Sequence, residues 1–530
     1  MKVSIYILIF SFIALFSCDK SDLNVLPQDR LSPATFWTTE ANALQAATGV
    51  YSKLSDAHSY QLFYADGWSD DAIPTGFWRG YYYYVWGTGN ISPENGDLNS
   101  YWAALYGVIR TANVFLANVG ACQMSESLRS RLIAEIKFIR AFEYTNLYLT
   151  WGEVPIADKP LEVSETKIGR AAAGETLKFI LRDLTEAAGV LPVMPTETGR
   201  VTKGAALALK ARVLLYAGNF PEAAATAKQI MDQGNYSLLR TPAGDGYFQL
   251  RNTKNWNNQE EIFGFIYDGT NSNNGIPGNL SLDGGLMSPS KSLVDSYMGY
   301  NKATDREVPV DESTTTSRFT NRDPRLDWSV AHTGTRDPVV SSPTYNRILD
   351  SETEPLSKNS TGYACFKFVN ADIASNASKV TADNILFRYA EVLLTYAEAK
   401  IEANQIDQSV ADAINDVRSR AYGAAKNEVA KYPEVTLGGQ EAMKAIVRNE
   451  RRVELAFEGL RWYDVKRWKI AAGPGGSMNG PVLGAKKADG TYYHAGTRAL
   501  SEPNRDYLRP IPQKQIDLTG KDVLGQNPGY

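Results

Sequence analysis

The sequence predicts a mostly α-helical protein, built on a scaffold of about four tetratricopeptide-like helical hairpins with a loop-rich, short-stranded ligand face. Three observations favour this fold. Apolar residues recur at three- and four-residue spacing over long stretches of both halves of the chain. Two of these stretches contain alanine-rich helical pairs joined by short polar breaks. The stretch between them is rich in turn-forming residues instead.

Composition places limits on both structure and function. The 530 residues are 43% hydrophobic and 11% aromatic, which is enough to form a large buried core. Asp and Glu (59) outnumber Lys and Arg (55), whereas a protein that binds the phosphate backbone of a nucleic acid has an excess of basic residues. Three His and three Cys are too few for a zinc cluster or a disulfide framework. We therefore expect a large globular protein that binds no nucleic acid.

Residues 1–17 are predicted to be a signal peptide. Lys2 is followed by an apolar run shorter than the ~20 residues that a membrane-spanning helix needs. The run ends in Leu15-Phe16-Ser17-Cys18, which resembles a bacterial lipobox. Cleavage before Cys18 and its acylation would make residues 18–37 a lipidated tether and N-terminal lead, with membrane contact through the lipid anchor only. The alternative is an ordinary cleaved signal with an incidental cysteine.

Residues 38–235 are predicted to form an N-terminal helical region. The first helix should begin after Thr38 and Thr39, which are typical capping residues. The same apolar spacing predicts three further helices, over residues 101–119, 128–148 and 176–191. Amphipathic helices of this length bury their apolar faces by packing on one another.

Two segments predict helical hairpins directly. In residues 203–234, a Gly218-Asn219 turn separates two apolar-periodic stretches, and Pro221 stands where a new helix would start. In residues 385–421, a polar break at Asn404-Gln405 divides the pattern in the same way. Small residues at the crossing points allow the paired helices to approach closely, as in tetratricopeptide units.

The middle of the chain, residues 236–384, is predicted to be a loop-rich insertion, followed by a C-terminal region over residues 385–530. Turn-forming residues dominate positions 268–275 and 351–361, while residues 262–267 read as a short strand. Long loops on a rigid scaffold are where binding surfaces usually lie. The insertion is therefore expected to contribute to a ligand face.

The C-terminal region contains two long motifs. Residues 448–468 read RNERRVELAFEGLRWYDVKRW, and residues 508–512 read LRPIP, followed by QNPGY at the end. Both resemble the SusD/RagB family of outer-membrane nutrient-binding lipoproteins. Together with the lipobox and the helical hairpins, the resemblance covers essentially the whole mature chain.

The resemblance implies a non-enzymatic protein on the cell surface. Members form a lid over a SusC-like, TonB-dependent barrel transporter through which captured glycans, or peptides in some members, are imported. We therefore expect an outer-membrane lipoprotein that captures oligosaccharide and delivers it to such a transporter. A peptide-binding, RagB-type receptor remains the alternative.

The signature segment also carries paired charges that could be read as catalytic. The segment is expected to be helical, which places Glu454 and Glu458 one turn apart, with Arg451 three residues before the first and Arg461 three after the second. Two carboxylates could act as the acid and base of a glycoside hydrolase. Surrounding guanidinium groups lower carboxyl pKa values, however, whereas a catalytic acid needs a raised pKa. A structural ion-pair network is the favoured interpretation.

Residues 77–86 contain seven aromatic side chains in ten positions. Aromatic rings match the apolar faces of sugars, and polar groups at their edges match the hydroxyls, so this composition is typical of glycan capture. The resemblance also implies aromatic ligand contacts in this region. The predicted contacts are Asp71, Trp78, Arg79, Tyr82, Trp86 and Asn90. The alternative is a strand packed on both faces, because aromatic stripes more often belong to a core.

Four further residues complete the predictions. Tyr297 and Trp328, from the loop-rich insertion, are second-tier ligand contacts, although the NRDPRL stretch before Trp328 is expected to be structural. Cys122 and Cys365 are expected to be two buried thiols, with a disulfide as the alternative. No cofactor is predicted. The oxygens of Asn95-Gly96-Asp97 could hold a calcium ion incidentally.

Overall fold

A computed structural model of the chain describes residues 36–58, 65–74, 85–250, 258–268, 272, 287–301, 303–304, 306–311, 313, 317–334, 361–368 and 380–530. The predicted signal peptide, Cys18 and all of the predicted lead except residues 36–37 lie outside the described residues. Within the described ranges, no helix combines the length and the apolar character needed to cross a bilayer.

Six long helices form the first half of the scaffold, as far as the structure describes it. They are α1 (Glu40–His58), α2 (Gly96–Asn118), α3 (Glu126–Trp151), α4 (Glu175–Val190), α5 (Lys203–Tyr216) and α6 (Phe220–Gln233). Each packs on the next along the chain. The described part of the loop-rich insertion adds three short helices: α7 (Gly246–Gln249), α8 (Lys291–Ser296) and α9 (Arg325–Ser329).

The C-terminal part adds six helices. They are α10 (Tyr389–Glu402), α11 (Gln408–Ala421), α12 (Gln440–Glu454), α13 (Arg461–Arg467), α14 (Pro503–Asp506) and α15 (Gln513–Thr519). Helix α10 packs on α6, α11 and α12, so it joins the two helical halves across the insertion. The pairs α1/α2, α3/α4, α5/α6 and α10/α11 confirm the predicted mostly α-helical scaffold of about four hairpins.

The described strands pair in five small antiparallel sheets. The strands are β1 (Ala72–Pro74), β2 (Glu261–Phe265), β3 (Met287–Pro289), β4 (Gly299–Asn301), β5 (Arg306–Val308), β6 (Val330–Ala331), β7 (Ala364–Cys365), β8 (Asn384–Arg388), β9 (Asn479–Lys486) and β10 (Tyr492–Ala499). They pair as β1–β3, β2–β8, β4–β5, β6–β7 and β9–β10. All but β9 and β10 lie in or beside the loop-rich layer, which fits a short-stranded face on a helical scaffold.

Capping residues explain where several helices begin and end. Helix α2 starts five residues before the predicted Tyr101 because the Asn95 side chain accepts a hydrogen bond from the Leu98 amide at 2.9 Å. The α5/α6 hairpin turns at Gly218, whose φ of 81° favours glycine, and Pro221 lies in the first turn of α6 as predicted.

Two predicted helical stretches are interrupted. Residues 384–388 form β8, so the second predicted hairpin begins only at Tyr389. The signature segment is broken after Glu454 because the backbone turns through the left-handed region at Phe457 (φ 64°) and Gly459 (φ 76°) before α13 begins. The expectation of one continuous helix there was wrong.

Among the described residues, one large apolar cluster lies between the helices and a smaller one lies mainly in the loop-rich layer, and two minor clusters contain two or three residues each. The smaller cluster includes Leu293, Tyr297, Leu326 and Phe457. Cys122 lies in the large cluster and Cys365 in the smaller one; both are buried thiols rather than halves of a disulfide, as predicted.

Candidate ligand-binding site

The aromatic segment lies between two described stretches of backbone, which we call the first and second anchors. The first anchor is residues 65–74, where a 3₁₀ turn leads into β1. The second anchor is residues 85–91. Trp78, Arg79 and Tyr82 are outside the described residues, so the predictions for them stay predictions.

Trp86 packs inside the protein. Its ring centroid lies 4.5 Å from that of Trp68 and 5.7 Å from that of Tyr101, and only 3% of the residue is exposed. A Cβ on Gly87 would lie 2.7 Å from the carbonyl oxygen of Gly67, which shows that the two anchors touch through their backbones. The prediction that Trp86 contacts ligand was wrong, because neither face of its indole is available. Trp86 is therefore a core residue, which was the alternative interpretation of the aromatic segment.

Arg509, from the LRPIP motif, is stacked beneath the second anchor. Its guanidinium carbon lies 4.4 Å from the ring centroid of Trp462 and 5.8 Å from that of Trp86. Burial lowers the pKa of Arg509 to about 10, so the group remains a cation at neutral pH. Cation–π attraction between the guanidinium and the indoles therefore ties the C-terminal motif to the base of the aromatic segment.

Two buried aspartates fasten the first anchor to the signature segment. Asp70 accepts two hydrogen bonds from Arg461, at 2.8 and 2.9 Å. Asp71 accepts one from Arg452 at 2.7 Å. Both carboxylates are buried, and such paired groups position backbone rather than meet a solvent-borne ligand. The prediction of Asp71 as a ligand contact was therefore wrong.

A third carboxylate, Asp66, reaches the break between α12 and α13. Its Oδ2 accepts a hydrogen bond from the Gly459 amide at 2.6 Å. Burial and the neighbouring charge of Asp71 raise the pKa of Asp66 well above its ordinary value. The turn that interrupts the signature helix thus meets the first anchor directly.

The end of the first anchor lies between β3 and the β9–β10 hairpin. Strand β1 pairs with β3 in the register Ala72↔Pro289. On the hairpin side, Ile73 packs against Val482 and Ala495. Arg498 of β10 also donates to the carbonyl oxygen of Ala72. Three strands, β3, β9 and β10, therefore hold residues 72–74 at the end of the first anchor.

Asn90 lies on the surface where the second anchor meets the same hairpin. Two residues earlier, the Thr88 carbonyl accepts from the Ala499 amide at 2.9 Å, and the Gly89 carbonyl accepts from Arg505 at 3.2 Å. The Asn90 residue itself is exposed. Its position is therefore compatible with the predicted role of a polar ligand contact.

The sequence analysis missed a second aromatic feature, at the opposite end of β10 from the second anchor. Tyr492 on β10 is half-buried, and the ammonium of Lys291, the first residue of α8, lies 5.3 Å from its ring centroid. His494, on the same strand, is exposed. The available signal was Asp489-Gly490, a typical hairpin dipeptide, which only Thr491 separates from Tyr492 and Tyr493.

The two second-tier residues do not join this site. Tyr297 is fully buried in the smaller apolar cluster, so the prediction that it touches ligand was wrong. Trp328 is half-buried and packs on Phe248 of α7, with ring centroids 4.5 Å apart. It contacts a different element from the anchors, and its predicted ligand role stays a prediction.

The carboxylates of the signature segment are buried in an ion-pair network. Glu454 accepts hydrogen bonds from Arg388 at 2.6 Å and from Arg325 at 3.0 Å. Burial alone would raise the pKa of Glu454, but Arg420, Arg388 and Arg325 together outweigh it and hold the pKa well below its usual range. The carboxylate stays ionised at neutral pH and has no proton to donate. The predicted structural network is confirmed for these residues.

The partners in this network differ from those that the helical spacing suggested. Arg451 pairs with Glu398 at 3.2 Å and with Asp464 at 3.1 Å, not with Glu454. Arg461 pairs with Asp70, not with Glu458. Arg325, from the NRDPRL stretch, is fully buried against Asp323, Glu450 and Glu454, which confirms that this stretch is structural.

An open groove of about 470 Å³ lies beside the β4–β5 sheet, in the loop-rich layer. Among the residues that line it are Asn301, Pro309, Asp311 and Asn321. The aromatic residue in its lining, Tyr300, is itself buried. The described part of this groove therefore offers amide, carboxylate and backbone groups rather than exposed ring faces.

Known proteins resemble the chain over nearly its whole length. Residues 247–530 match the profile of the SusD family, and residues 23–215 match a profile described as starch-binding associating with outer membrane. SusD-like protein P2 of Formosa agariphila is 27% identical over 96% of both chains. SusD-like protein P25 of the same organism is 27% identical over 89% of this chain and 90% of that one.

Solved structures show the same fold. A SusD-like protein from Bacteroides fragilis superposes with a TM-score of 0.80 at 25% identity, covering 96% of this chain and all of that one. A SusD-like carbohydrate-binding protein from the same species gives a TM-score of 0.77 at 26% identity, covering 91% of this chain and 99% of that one. Because the family profile alone spans more than half of its residues, the chain belongs to the SusD family.

Proposed function

We propose that this chain is a cell-surface lipoprotein that captures oligosaccharide and delivers it to a partner SusC-like, TonB-dependent transporter. The observation that carries the proposal is the position of the aromatic segment between two anchors fixed by the core, by β3 and by the β9–β10 hairpin. The carbohydrate-binding relative from Bacteroides fragilis and the starch-binding profile support glycan as the ligand class.

In this proposal, Trp78 supplies the stacking ring, while Arg79, Tyr82 and Asn90 supply hydrogen-bond partners for sugar hydroxyls. A sugar ring presents an apolar C–H face, which an indole covers, and a polar rim, which needs donors and acceptors nearby. Affinity is expected to be modest, because an open platform desolvates only one face of a flexible ligand.

The proposal includes no bond cleavage. Glu454 and Glu458 lie within a buried network of arginine and lysine side chains that lowers both of their pKa values. A glycoside hydrolase needs a carboxyl with a raised pKa on one side of the scissile bond and a second carboxylate on the other. Purified protein incubated with candidate polysaccharides should therefore release no product.

Attachment to the outer membrane through an acylated Cys18 completes the proposed arrangement. A chain held by its lipid and by the tether of residues 18–37 would stand at the surface beside the transporter. Copurification with a TonB-dependent barrel from membranes solubilised in mild detergent is the direct test of the partner. Recovery without any such barrel would contradict this part of the proposal.

Ligand capture is tested by glycan-array binding followed by titration calorimetry with the glycan that binds. Trp78→Ala should weaken binding at least about tenfold, as loss of a stacking ring worth roughly 1.4 kcal/mol or more implies. Trp37→Ala is the matched control, because it removes a half-buried indole outside the proposed site. Trp37 lies just before α1 and packs on Phe115 of α2. Equal binding by wild type, Trp78→Ala and Tyr82→Ala would overturn the proposed site.

A peptide ligand is the second candidate, and the groove beside β4–β5 is the observation that favours it. Its exposed amide and backbone groups suit an extended peptide better than a sugar face. A peptide library screened in parallel with the glycan array separates the two ligand classes. Binding to peptides alone would replace the glycan proposal.

A further inference from the structure

Arg509 is a buried cation without a counter-charge. Only 2% of the residue is exposed, and neither its Nε nor its Nη2 has a hydrogen-bond partner. No carboxylate among the described residues forms an ion pair with its guanidinium. Burial of a charge is costly unless the charge is paired and hydrogen-bonded, so we expect a partner that the chain itself does not supply.

The carboxylate whose charge reaches Arg509 is engaged by other groups. Oδ1 of Asp506 accepts a hydrogen bond from Arg505 at 2.7 Å, and its Oδ2 accepts one from the Glu502 amide at 2.9 Å. Asp506 therefore raises the pKa of Arg509 only from a distance, and burial outweighs this effect.

A second cation lies close to Arg509. Lys466 stands one helical turn after Trp462 on α13, and the Arg509 guanidinium carbon lies 4.4 Å from the ring centroid of Trp462. The Lys466 ammonium donates to the carbonyl oxygen of Leu149, and the backbone amide of Arg509 donates to the next carbonyl, that of Thr150, at 3.0 Å. Two cations therefore meet at the end of α3.

This excess of positive charge agrees with the pKa of the lysine. Lys466 forms no ion pair with a described residue. Burial, together with the charges of Arg509 and Lys469, lowers its pKa to about 7. An anion nearby would oppose the shift, because it would stabilise the protonated form.

Indole N–H groups supply further unpartnered donors at this place. Trp86 is 3% exposed, its Nε1 has no hydrogen-bond partner, and its ring centroid lies 5.8 Å from the Arg509 guanidinium carbon. Trp68, whose ring centroid is 4.5 Å from that of Trp86, is also buried with an unpartnered Nε1. Guanidinium and indole N–H groups can only donate, so these three side chains offer donors and no acceptor.

We propose that Arg509 and Trp86 form a binding site for one chloride ion beneath the second anchor. Chloride accepts several N–H hydrogen bonds and carries the negative charge that the site lacks. A water molecule could accept the same bonds but would leave the cation uncompensated. The surroundings are tight, since a Cβ on Gly87 would lie 2.7 Å from the carbonyl oxygen of Gly67, which favours a small spherical ion over sulfate or phosphate.

Bound chloride would join the LRPIP motif to the second anchor through charge-assisted hydrogen bonds, in addition to the cation–π contact. The ion would lie in the interior and would not touch a ligand at the surface. Its binding is therefore independent of whether the chain captures glycan or peptide.

The test is thermal unfolding of the full-length protein at pH 7 in sodium chloride and in sodium gluconate of equal ionic strength. Gluconate serves as the reference because it is too large for a buried site of this kind. Chloride should raise the unfolding temperature of the wild type by at least about 2 °C at a hundredfold excess over its dissociation constant. Arg509→Gln should unfold at the same temperature in both salts, because it lacks the charge that the ion neutralises.

Arg182→Leu is the matched control. The Arg182 guanidinium carbon lies 4.6 Å from the ring centroid of Phe179, an arrangement like that of Arg509 on Trp462, but the side chain of Arg182 is 53% exposed. Because water solvates this cation, the variant should respond to chloride as the wild type does.

Equal unfolding temperatures of the wild type in the two salts, or an equal chloride effect in Arg509→Gln, would overturn the proposal. If Arg509→Gln does not fold, wild-type crystals grown in sodium bromide decide the question. Anomalous density within hydrogen-bonding distance of Arg509 and Trp86 supports the site. Density confined to other places, or a water molecule in this position, excludes it.

Discussion

Arg388, the last residue of β8, donates a hydrogen bond of 2.6 Å to Glu454, the last residue of α12, with both side chains buried. The same guanidinium contacts Glu260 beside β2 and Glu458 in the turn before α13. One side chain therefore joins the loop-rich layer, the scaffold and the signature segment. Because each partner belongs to a different part of the chain, this contact forms only when all three parts are in place.

Arg388→Met should lower the free energy of unfolding by about 3–5 kcal/mol, because it leaves Glu454 and Glu458 buried with fewer positive partners. Chemical denaturation at pH 7 measures the loss. Lys228→Ala is the control: it breaks an exposed pair with Asp232 and should cost at most about 0.5 kcal/mol. Equal losses for the two variants would contradict the assigned role of Arg388.

Glu454 should make folding stability depend on acid. Its pKa is lower in the folded protein than the usual 4.5, so the unfolded chain binds more protons at low pH. The stabilisation is complete above that usual value and is lost as pH falls toward the folded-state pKa. The stability difference between wild type and Glu454→Gln should therefore shrink between about pH 5 and pH 3 in denaturant titrations. A difference that grows as pH falls would refute the assignment.

Trp86→Ala should destabilise the protein, whereas the ligand effect should belong to Trp78. Removal of a buried indole leaves a cavity and costs about 3–5 kcal/mol, measurable as a lower unfolding temperature. Trp86→Phe should recover part of the loss because it refills much of the space. A Trp86→Ala protein with wild-type stability would show that the indole is not part of the core.

The two cysteines of the folded body should behave as buried thiols. Burial raises the pKa of the Cys122 thiol, which lowers its reactivity further. A thiol reagent should label Cys122 and Cys365 only after unfolding, and reducing agent should leave the unfolding temperature unchanged. A lower unfolding temperature in reducing agent would reveal a disulfide instead.

Cys18→Ala should abolish lipid attachment. The wild-type protein expressed in a bacterium with lipoprotein signal peptidase should partition into detergent and carry acyl groups that mass spectrometry detects. The variant should lack those groups and remain in the aqueous phase, with an unchanged folded body. Acylation of the variant, or an unmodified wild-type Cys18, would show that the lipobox interpretation is incorrect.

Local sequence signals predicted the scaffold well. The α5/α6 hairpin follows from apolar spacing, the Gly218 turn and Pro221, all of which act within a few residues of one another. The start of α2 was misplaced because the cap at Asn95 was not recognised, although its sequence signal is present. These features depend on backbone conformation and hydrogen bonds between near neighbours, which composition and spacing report directly.

Charge partners and ligand contacts were harder to predict. Helical spacing predicted that Glu454 pairs with Arg451. The segment instead turns at Phe457 and Gly459, and Glu454 pairs with Arg388, which is distant in sequence. Likewise, the aromatic run did not reveal which of its rings face inward. Trp86 is buried because Trp68 and Tyr101, which are distant from it in sequence, pack against its indole in the folded chain.

By itself, the sequence determined the helical hairpins and the motifs that mark the family. Tertiary structure decided which charged and aromatic groups became interior supports, namely Trp86, Asp71 and Glu454, and which, like Asn90, stayed at the surface. The physical reason is that helix periodicity arises between neighbours in the chain. Burial and ion pairing arise between groups that only the folded chain brings together.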